Sequence, residues 1–210
     1  MPTSSELRAR ARYSLRGNWT PAVLHFLLFY VVIYALGFIA LIPFIGWIAS
    51  VLLSGALNYG LYNFYLSFSR SNVPSTADLF SGFQRFVPTL VLYILTGIFT
   101  FLWSLLLIIP GIIAAIRYSQ AYYILRDNPQ IGALEAISRS KEMMAGHKWR
   151  YFVLILSFIG WIILACIPLG IGMLWVGPYM YTALGHFHND LLSRSNAFAP
   201  PPPPPPSPYM

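Results

Sequence analysis

Apolar positions in this chain fall into six long blocks, at residues 21–44, 47–68, 86–109, 111–125, 150–167 and 170–187. Within a block they do not alternate with polar residues as a half-buried strand would require. Most blocks approach the ~20 residues that a helix needs to cross ~30 Å of hydrocarbon. The fourth is shorter, and its helix is expected to continue past Leu125. Prolines divide the blocks into three hairpins, with turns expected at Ile42-Pro43, Ile109-Pro110 and Ile167-Pro168. Each hairpin opens on an aromatic residue suited to a membrane interface, Trp19, Phe86 or Trp149. This recurrence predicts a threefold repeat of helical hairpins. The predicted fold class is therefore all-α, a polytopic membrane helix bundle. It has six transmembrane segments as three helical hairpins, plus amphipathic cytoplasmic helices.

Charge adds direction to this pattern. No Lys, Arg, Asp or Glu lies near the three turns, and twelve of the 13 Lys and Arg residues flank the opposite ends of the blocks. The positive-inside rule makes that charged side cytoplasmic and places both termini there. The expected divisions are a basic amphipathic N-terminal helix over 1–18, a six-span transmembrane domain over 19–192 and a disordered proline-rich tail over 193–210. Arg117 is the exception to the map, because it falls inside the fourth block.

Composition agrees with a membrane protein. The chain is 57% hydrophobic and 9% charged, with a mean hydropathy of +0.63, whereas soluble domains average ~25% charged residues. The net charge of +7 does not argue for nucleic acid, because the basic residues adjoin apolar blocks. Topology and attraction to anionic lipid account for them better. The single cysteine, Cys166, leaves no disulfide framework or zinc site. The first apolar block exceeds the 7–15 residues of a signal-peptide core and is read as a retained span.

Two soluble segments have helical signatures. Thr3-Ser4-Ser5-Glu6 has the form of a capping box, and Gly17 suits a helix stop. Leu7, Ala11 and Leu15 fall on one ridge and Arg8, Arg12 and Arg16 on the next, as expected of a helix lying in the headgroup layer. The second segment is a cytoplasmic amphipathic helix over 129–145, with Asn128 as N-cap and Pro129 at the first helical position. Ala133, Ala136, Ile137, Met143 and Met144 form its apolar face. Glu135, Arg139 and Glu142 lie opposite, and Glu135–Arg139 is an i,i+4 pair. That charged face is a candidate docking surface for a partner; capping of the bundle is the alternative. Pro200 to Pro206 suit a polyproline II rod, either a ligand for an aromatic groove or an unstructured end.

Arg117 is the leading candidate for chemistry. An arginine within a bilayer costs ~2.5–3.5 kcal/mol on insertion scales and usually faces a bundle interior or a wet cavity. No carboxylate lies within a block to pair with it. With Tyr118, Gln120 and Tyr122 it forms a candidate anion or lipid-headgroup site; snorkelling to the surface is the alternative. The polar atoms around this helix predict that it is central. Ser50, Ser54, Asn58 and Tyr62 recur every four residues as a candidate helix-packing or pathway face, and Ala56 with Gly60 adds a small-residue contact. His186, His188 and Asp190 lack metal-ligand spacing, so no metal site is expected. No paired carboxylates, nucleophile elbow or phosphate loop appears, so neither catalytic residues nor a cofactor are expected.

Several stretches together resemble a known family. They are Arg16-Gly17-Asn18-Trp19, Asp78-Leu79-Phe80-Ser81-Gly82-Phe83, Ile109-Pro110-Gly111, Arg117-Tyr118-Ser119, Glu135-Ala136 with Ser140, Gly146-His147-Lys148-Trp149 and Pro178-Tyr179. From Glu6 to Leu192 the chain resembles the bacterial integral membrane family called domain of unknown function 975. More distantly it is similar to the membrane domain fused to some glycerophosphodiester phosphodiesterases, which implies a lipid-adjacent setting. The resemblance implies membrane location and fold and supplies no catalytic residues. The expected function is a non-enzymatic multi-pass protein of the bacterial cytoplasmic membrane with an accessory, envelope or lipid-related role. A transporter or permease-like subunit is the alternative. Membrane lipids are the expected partners, with a protein at the cytoplasmic face and self-association both left open.

Overall fold

The computed structural model describes residues 1–42, 44–167 and 170–197. Among them every regular element is helical. The helices are α1 (Ser4–Ser14), α2 (Trp19–Ile39), α3 (Ile45–Ser69), α4 (Thr76–Leu79), α5 (Phe86–Leu106), α6 (Ile108–Tyr118), α7 (Ala121–Asp127), α8 (Ala133–Met143), α9 (Lys148–Cys166) and α10 (Met173–Ala197), with a 3-10 turn at Ser81–Phe83. Four of them, α2, α3, α5 and α9, are long and apolar enough to cross a membrane. They point to a membrane protein.

The remaining two expected spans take other forms. Residues 111–125 do not form one helix: α6 ends at Tyr118 and α7 starts at Ala121. Residues 173–187 belong to the 25-residue α10, which continues through His188, Asp190 and Arg194. The turn expected at Ile109-Pro110 lies instead at Leu107, a single extended residue between α5 and α6. Pro110 sits in the first turn of α6, where the missing N–H breaks no helical hydrogen bond. A Cβ on Gly111 would lie 2.8 Å from Ser104 Cα, so the glycine allows so short a link to close. Pro43, Pro168 and the tail from 198 to 210 lie outside the described residues, and with them the expected proline rod and two of the expected turns.

The central helix is α3, not the segment 111–125. It packs against α1, α2, α4, α5, α7 and α10, and almost every residue from Gly55 to Ser69 is buried. Small residues permit the approach. A Cβ on Gly60 would lie 1.7 Å from the Leu79 carbonyl oxygen, and one on Gly82 would lie 2.0 Å from that of Ala56. The Ala56–Gly60 ridge thus receives the backbone of the 75–83 link. Segment 111–125 divides: α7 buries Ala121, Tyr123, Ile124 and Leu125, whereas α6 exposes Ile109, Ile112 and Ile113.

The break between α6 and α7 exposes backbone groups that a continuous helix would pair. One hydroxyl from α8 satisfies two of them. Ser140 Oγ donates to the Arg117 carbonyl at 2.7 Å and accepts the Gln120 N–H at 3.2 Å. α8 itself begins later than expected. Asn128 ends α7, because the residue before a proline disfavours the helical region, and Gly132 is the N-cap residue of α8.

α1 has its expected capping box, Thr3 with Glu6. Its ridge of Leu7, Ala11 and Leu15 is buried in the protein core rather than facing lipid. Arg8 Nη1 donates to the Ser157 carbonyl at 3.0 Å, which joins α1 to α9. Gly17 and Gly146 both adopt positive φ, where a residue with a Cβ is strained.

Candidate functional site

The helix ends that carry charge meet in one polar network. Arg70, at the C-cap of α3, makes a two-pronged contact with Asp127, the last residue of α7, at 2.7 and 2.6 Å. Its Nε donates to Asn189 Oδ1 of α10 at 3.1 Å. Three helices are thereby joined through one guanidinium, whose planar fork matches a carboxylate. His188 of α10 completes the group. Its Nε2 lies 3.2 Å from Asp127 Oδ2, its Nδ1 lies 3.1 Å from the Gln120 side-chain oxygen, and its ring stacks on Tyr123. Arg126 points back to α3, donating to the Asn63 carbonyl at 2.7 Å and to Ser67 Oγ at 2.8 Å. Arg85, just before α5, donates to the carbonyls of Leu125 and Pro129.

A second cluster ties the two terminal helices to α9. Arg150 Nη2 lies 2.9 Å from Asp190 Oδ2 and 3.1 Å from the Pro2 carbonyl, and Arg194 also reaches Asp190. Much of the basic flank is therefore engaged in joining helix ends.

Electrostatics follow from this geometry. Burial pushes the Asp127 carboxyl up, but hydrogen bonds from His188 and Arg70 and the Arg70 charge outweigh it and hold it well below the usual carboxylate range. Burial likewise raises Asp190, while Arg194 and Arg150 bring it below its ordinary value. Burial lowers the His188 imidazole; Asp127 opposes that shift, and the charges of Arg70 and Arg126 reinforce it. In a neutral ring that donates from Nε2 to Asp127, Nδ1 is an acceptor, and a half-turn of the Gln120 amide turns an N–H toward it.

A recess of about 440 Å³ opens beside this network. Asp127, Asn128 and His188 line it together with Arg139, Glu142 and Met143 of α8. Arg139 pairs with Glu135 at 2.7 Å on the exposed side of α8 and reaches Asn128 Oδ1 at 3.3 Å. The three candidate docking residues thus lie together, two of them on the recess wall.

The candidate anion set does not assemble as one site. Arg117, the next-to-last residue of α6, is half-buried, with its Nε buried and unpartnered among the described residues. Tyr118 packs beside Phe99 and under the Lys141 ammonium, Gln120 turns to His188, and Tyr122 stacks on Tyr62. The helix break rotates these neighbours onto different surfaces. Lys141 lies 5.7 Å from the ring of the adjacent Tyr118, and Lys148 shares a groove with Ile116.

Ser50, Ser54 and Asn58 donate to carbonyls four residues back on α3, and Ser50 also reaches the Leu36 carbonyl of α2. Asn58 and Tyr62 line a cleft of about 280 Å³ with Tyr93, Thr96, Tyr118 and Tyr122. Among the described residues no group of three His, Cys, Asp or Glu could hold a metal ion. His186 turns to Ser14, His188 to Asp127 and Asp190 to the arginines.

Sequence reasoning missed Arg70, Arg126, Asp127 and His188 as one site. The available signal was that a lone carboxylate, a base and a histidine end three separate apolar blocks at the same side.

No curated protein and no solved structure matches the chain, and the more distant likeness to glycerophosphodiester phosphodiesterases is not among these findings. The family described as Protein of unknown function (DUF975) matches residues 1–114 and 105–195. Those segments cover nearly the whole length, and the chain belongs to the DUF975 family.

Proposed function

We propose that this is a non-enzymatic, multi-pass protein of the bacterial cytoplasmic membrane, with both termini cytoplasmic. Its role is accessory, in the envelope or its lipids, and its working surface is the charged face. The observation that carries this reading is the 440 Å³ recess, whose wall is the exposed Arg139 and Glu142 of α8 and whose floor is the Asp127–His188 pair. Ion pairs hold that floor rigid and leave α8 presented outward, as a platform for a protein partner would require. The one-sided charge supports the orientation. The pairing of helix ends at Arg70–Asp127 and Arg150–Asp190 supports hairpins that return to the charged side.

A photo-crosslinking residue at Glu142 tests the role. It yields a discrete adduct in cells that disappears with Arg139→Glu and that a probe at Phe44 does not give. The same adduct from both positions contradicts the reading. A reporter fused at Gly170 tests the topology: it reports from outside the cytoplasm, and a cytoplasmic signal overturns the arrangement.

One observation favours a transporter or permease-like subunit as the second reading. The polar cleft lined by Asn58, Tyr62, Tyr93, Thr96, Tyr118 and Tyr122 lies at the α6–α7 break, and broken helices line substrate sites in many transporters. Copurification of an ATPase with the intact protein favours this reading.

A further inference from the structure

Between α6 and the start of α9 runs a groove of about 480 Å³ that neither the recess nor the polar cleft includes. Its walls are Ile109, Ile112, Ile113 and Ile116 from α6, with Phe152, Trp149 and Lys148 from α9. It follows α6 for ~10 Å, at ~1.5 Å per residue. The isoleucines at 109, 112 and 113 and Trp149 are exposed on the protein surface. Four branched aliphatic side chains and a phenyl ring offer a hydrocarbon chain dispersion contact and nothing polar to solvate.

The chemistry changes where α6 ends and α9 begins. Lys148 and Trp149 form the rim, and Arg117 follows Ile116 directly, on the ridge Ile109–Ile113–Arg117. Neither basic side chain has a hydrogen bond, ion pair or ring contact among the described residues, and the Arg117 Nε is buried without an acceptor. Arg70, Arg150 and Arg194, in contrast, all face carboxylates. A tryptophan at the boundary between an apolar slot and two unpaired cations is the arrangement of a membrane interface.

We propose that this groove is a site for one anionic glycerophospholipid. One acyl chain lies against Ile109, Ile112, Ile113, Ile116 and Phe152, and the headgroup phosphate accepts hydrogen bonds from Arg117 and Lys148. The proposal rests on the membrane location given above, but not on the docking role of α8.

The test uses the full chain in nanodiscs of equimolar phosphatidylglycerol and phosphatidylcholine, released into detergent and weighed by native mass spectrometry. The wild-type protein retains one phosphatidylglycerol in preference to phosphatidylcholine by about thirtyfold, the scale set by two basic side chains near one anionic lipid. Arg117→Gln with Lys148→Gln brings retention of the two lipids to parity. Ile113→Trp, which fills the groove and keeps both cations, loses the bound lipid. Arg10→Gln with Arg16→Gln, on exposed positions of the N-terminal segment, leaves the preference unchanged. Equal retention by the wild-type chain overturns the proposal without recourse to any variant, as does an undiminished preference in either groove variant. Failure of the chain to float with the bilayer would instead remove the membrane location, a distinct outcome.

Discussion

The two ends of this bundle obey different rules. At the apolar end, Phe38, Leu41, Phe44, Ile45, Trp47, Leu105 to Ile109 and Ile167 are all exposed, and Phe44 reaches 84%. At the charged end, Phe64, Tyr65, Phe68, Tyr123, Phe187 and Leu191 are buried around α3, and polar side chains bridge the helices. The apolar end has no need of a core if lipid is its solvent, since hydrocarbon is as apolar as leucine. The charged end must pair its backbone and ionic groups within the protein, because each one left buried and unmade costs free energy. The difference teaches that cohesion in this chain resides in the half nearer the charges, whereas the exposed half owes its helicity to its apolar surroundings.

Substitutions at the network break that contrast most strongly. Asp127→Ala leaves Arg70 and His188 without their shared acceptor. The expected loss is about 2–4 kcal/mol, below the fully buried range because the Arg70 side chain remains 30% exposed. Thermal unfolding in detergent measures it. Gly60→Ala, whose new Cβ would meet the Leu79 carbonyl oxygen at 1.7 Å, costs about 1–3 kcal/mol by overpacking in the same assay. Ser140→Ala removes the hydroxyl that serves both the Arg117 carbonyl and the Gln120 N–H; about 1–3 kcal/mol is expected, with faster amide exchange at Gln120. Phe44→Ala at the apolar end stays within about 0.5 kcal/mol. A loss there as large as at Asp127 would erase the contrast.

Acid sharpens it. Burial lowers the His188 imidazole below its ordinary value of 6.5, so the fold favours the neutral ring and the unfolded chain takes up the proton first. Stability is therefore full above about pH 6.5 and falls as the pH drops below it. Asp127, also lowered, adds its own loss only as the pH falls below its ordinary 3.8. Unfolding followed from pH 7.5 to 5 is expected to show the first loss in the wild-type chain and a shallower one in His188→Gln, where His147, also lowered by burial, keeps its own share.

Much of the scaffold was legible because local chemistry set it. α2 begins at Trp19 and α5 at Phe86, and Gly17 and Gly146 adopt positive φ next to helix ends. Other features required tertiary information. No glycine or proline marks the break at Ser119–Gln120, and the hydroxyl that makes it tolerable is contributed by Ser140, some twenty residues later. Asn128-Pro129 reads as a helix start, yet the same proline holds Asn128 out of the helical region and ends α7. Arg117 stands out in the sequence because its block reads as one continuous span. The break leaves it near the end of α6, between Tyr118, whose ring lies under Lys141, and Ile116, which shares a groove with Lys148. The network itself was hidden because its members lie up to 119 positions apart, at the ends of helices whose packing the apolar pattern does not specify.

The central claim is that α3, α7 and α10 are locked at the charged end by a shared ionic network. A double-mutant cycle on Arg70→Ala and Asp127→Ala, read by reversible unfolding of the intact protein, tests it most directly. The account predicts strong coupling, with the double variant no less stable than the worse single variant. Additive losses would show the two residues to act independently and would contradict it.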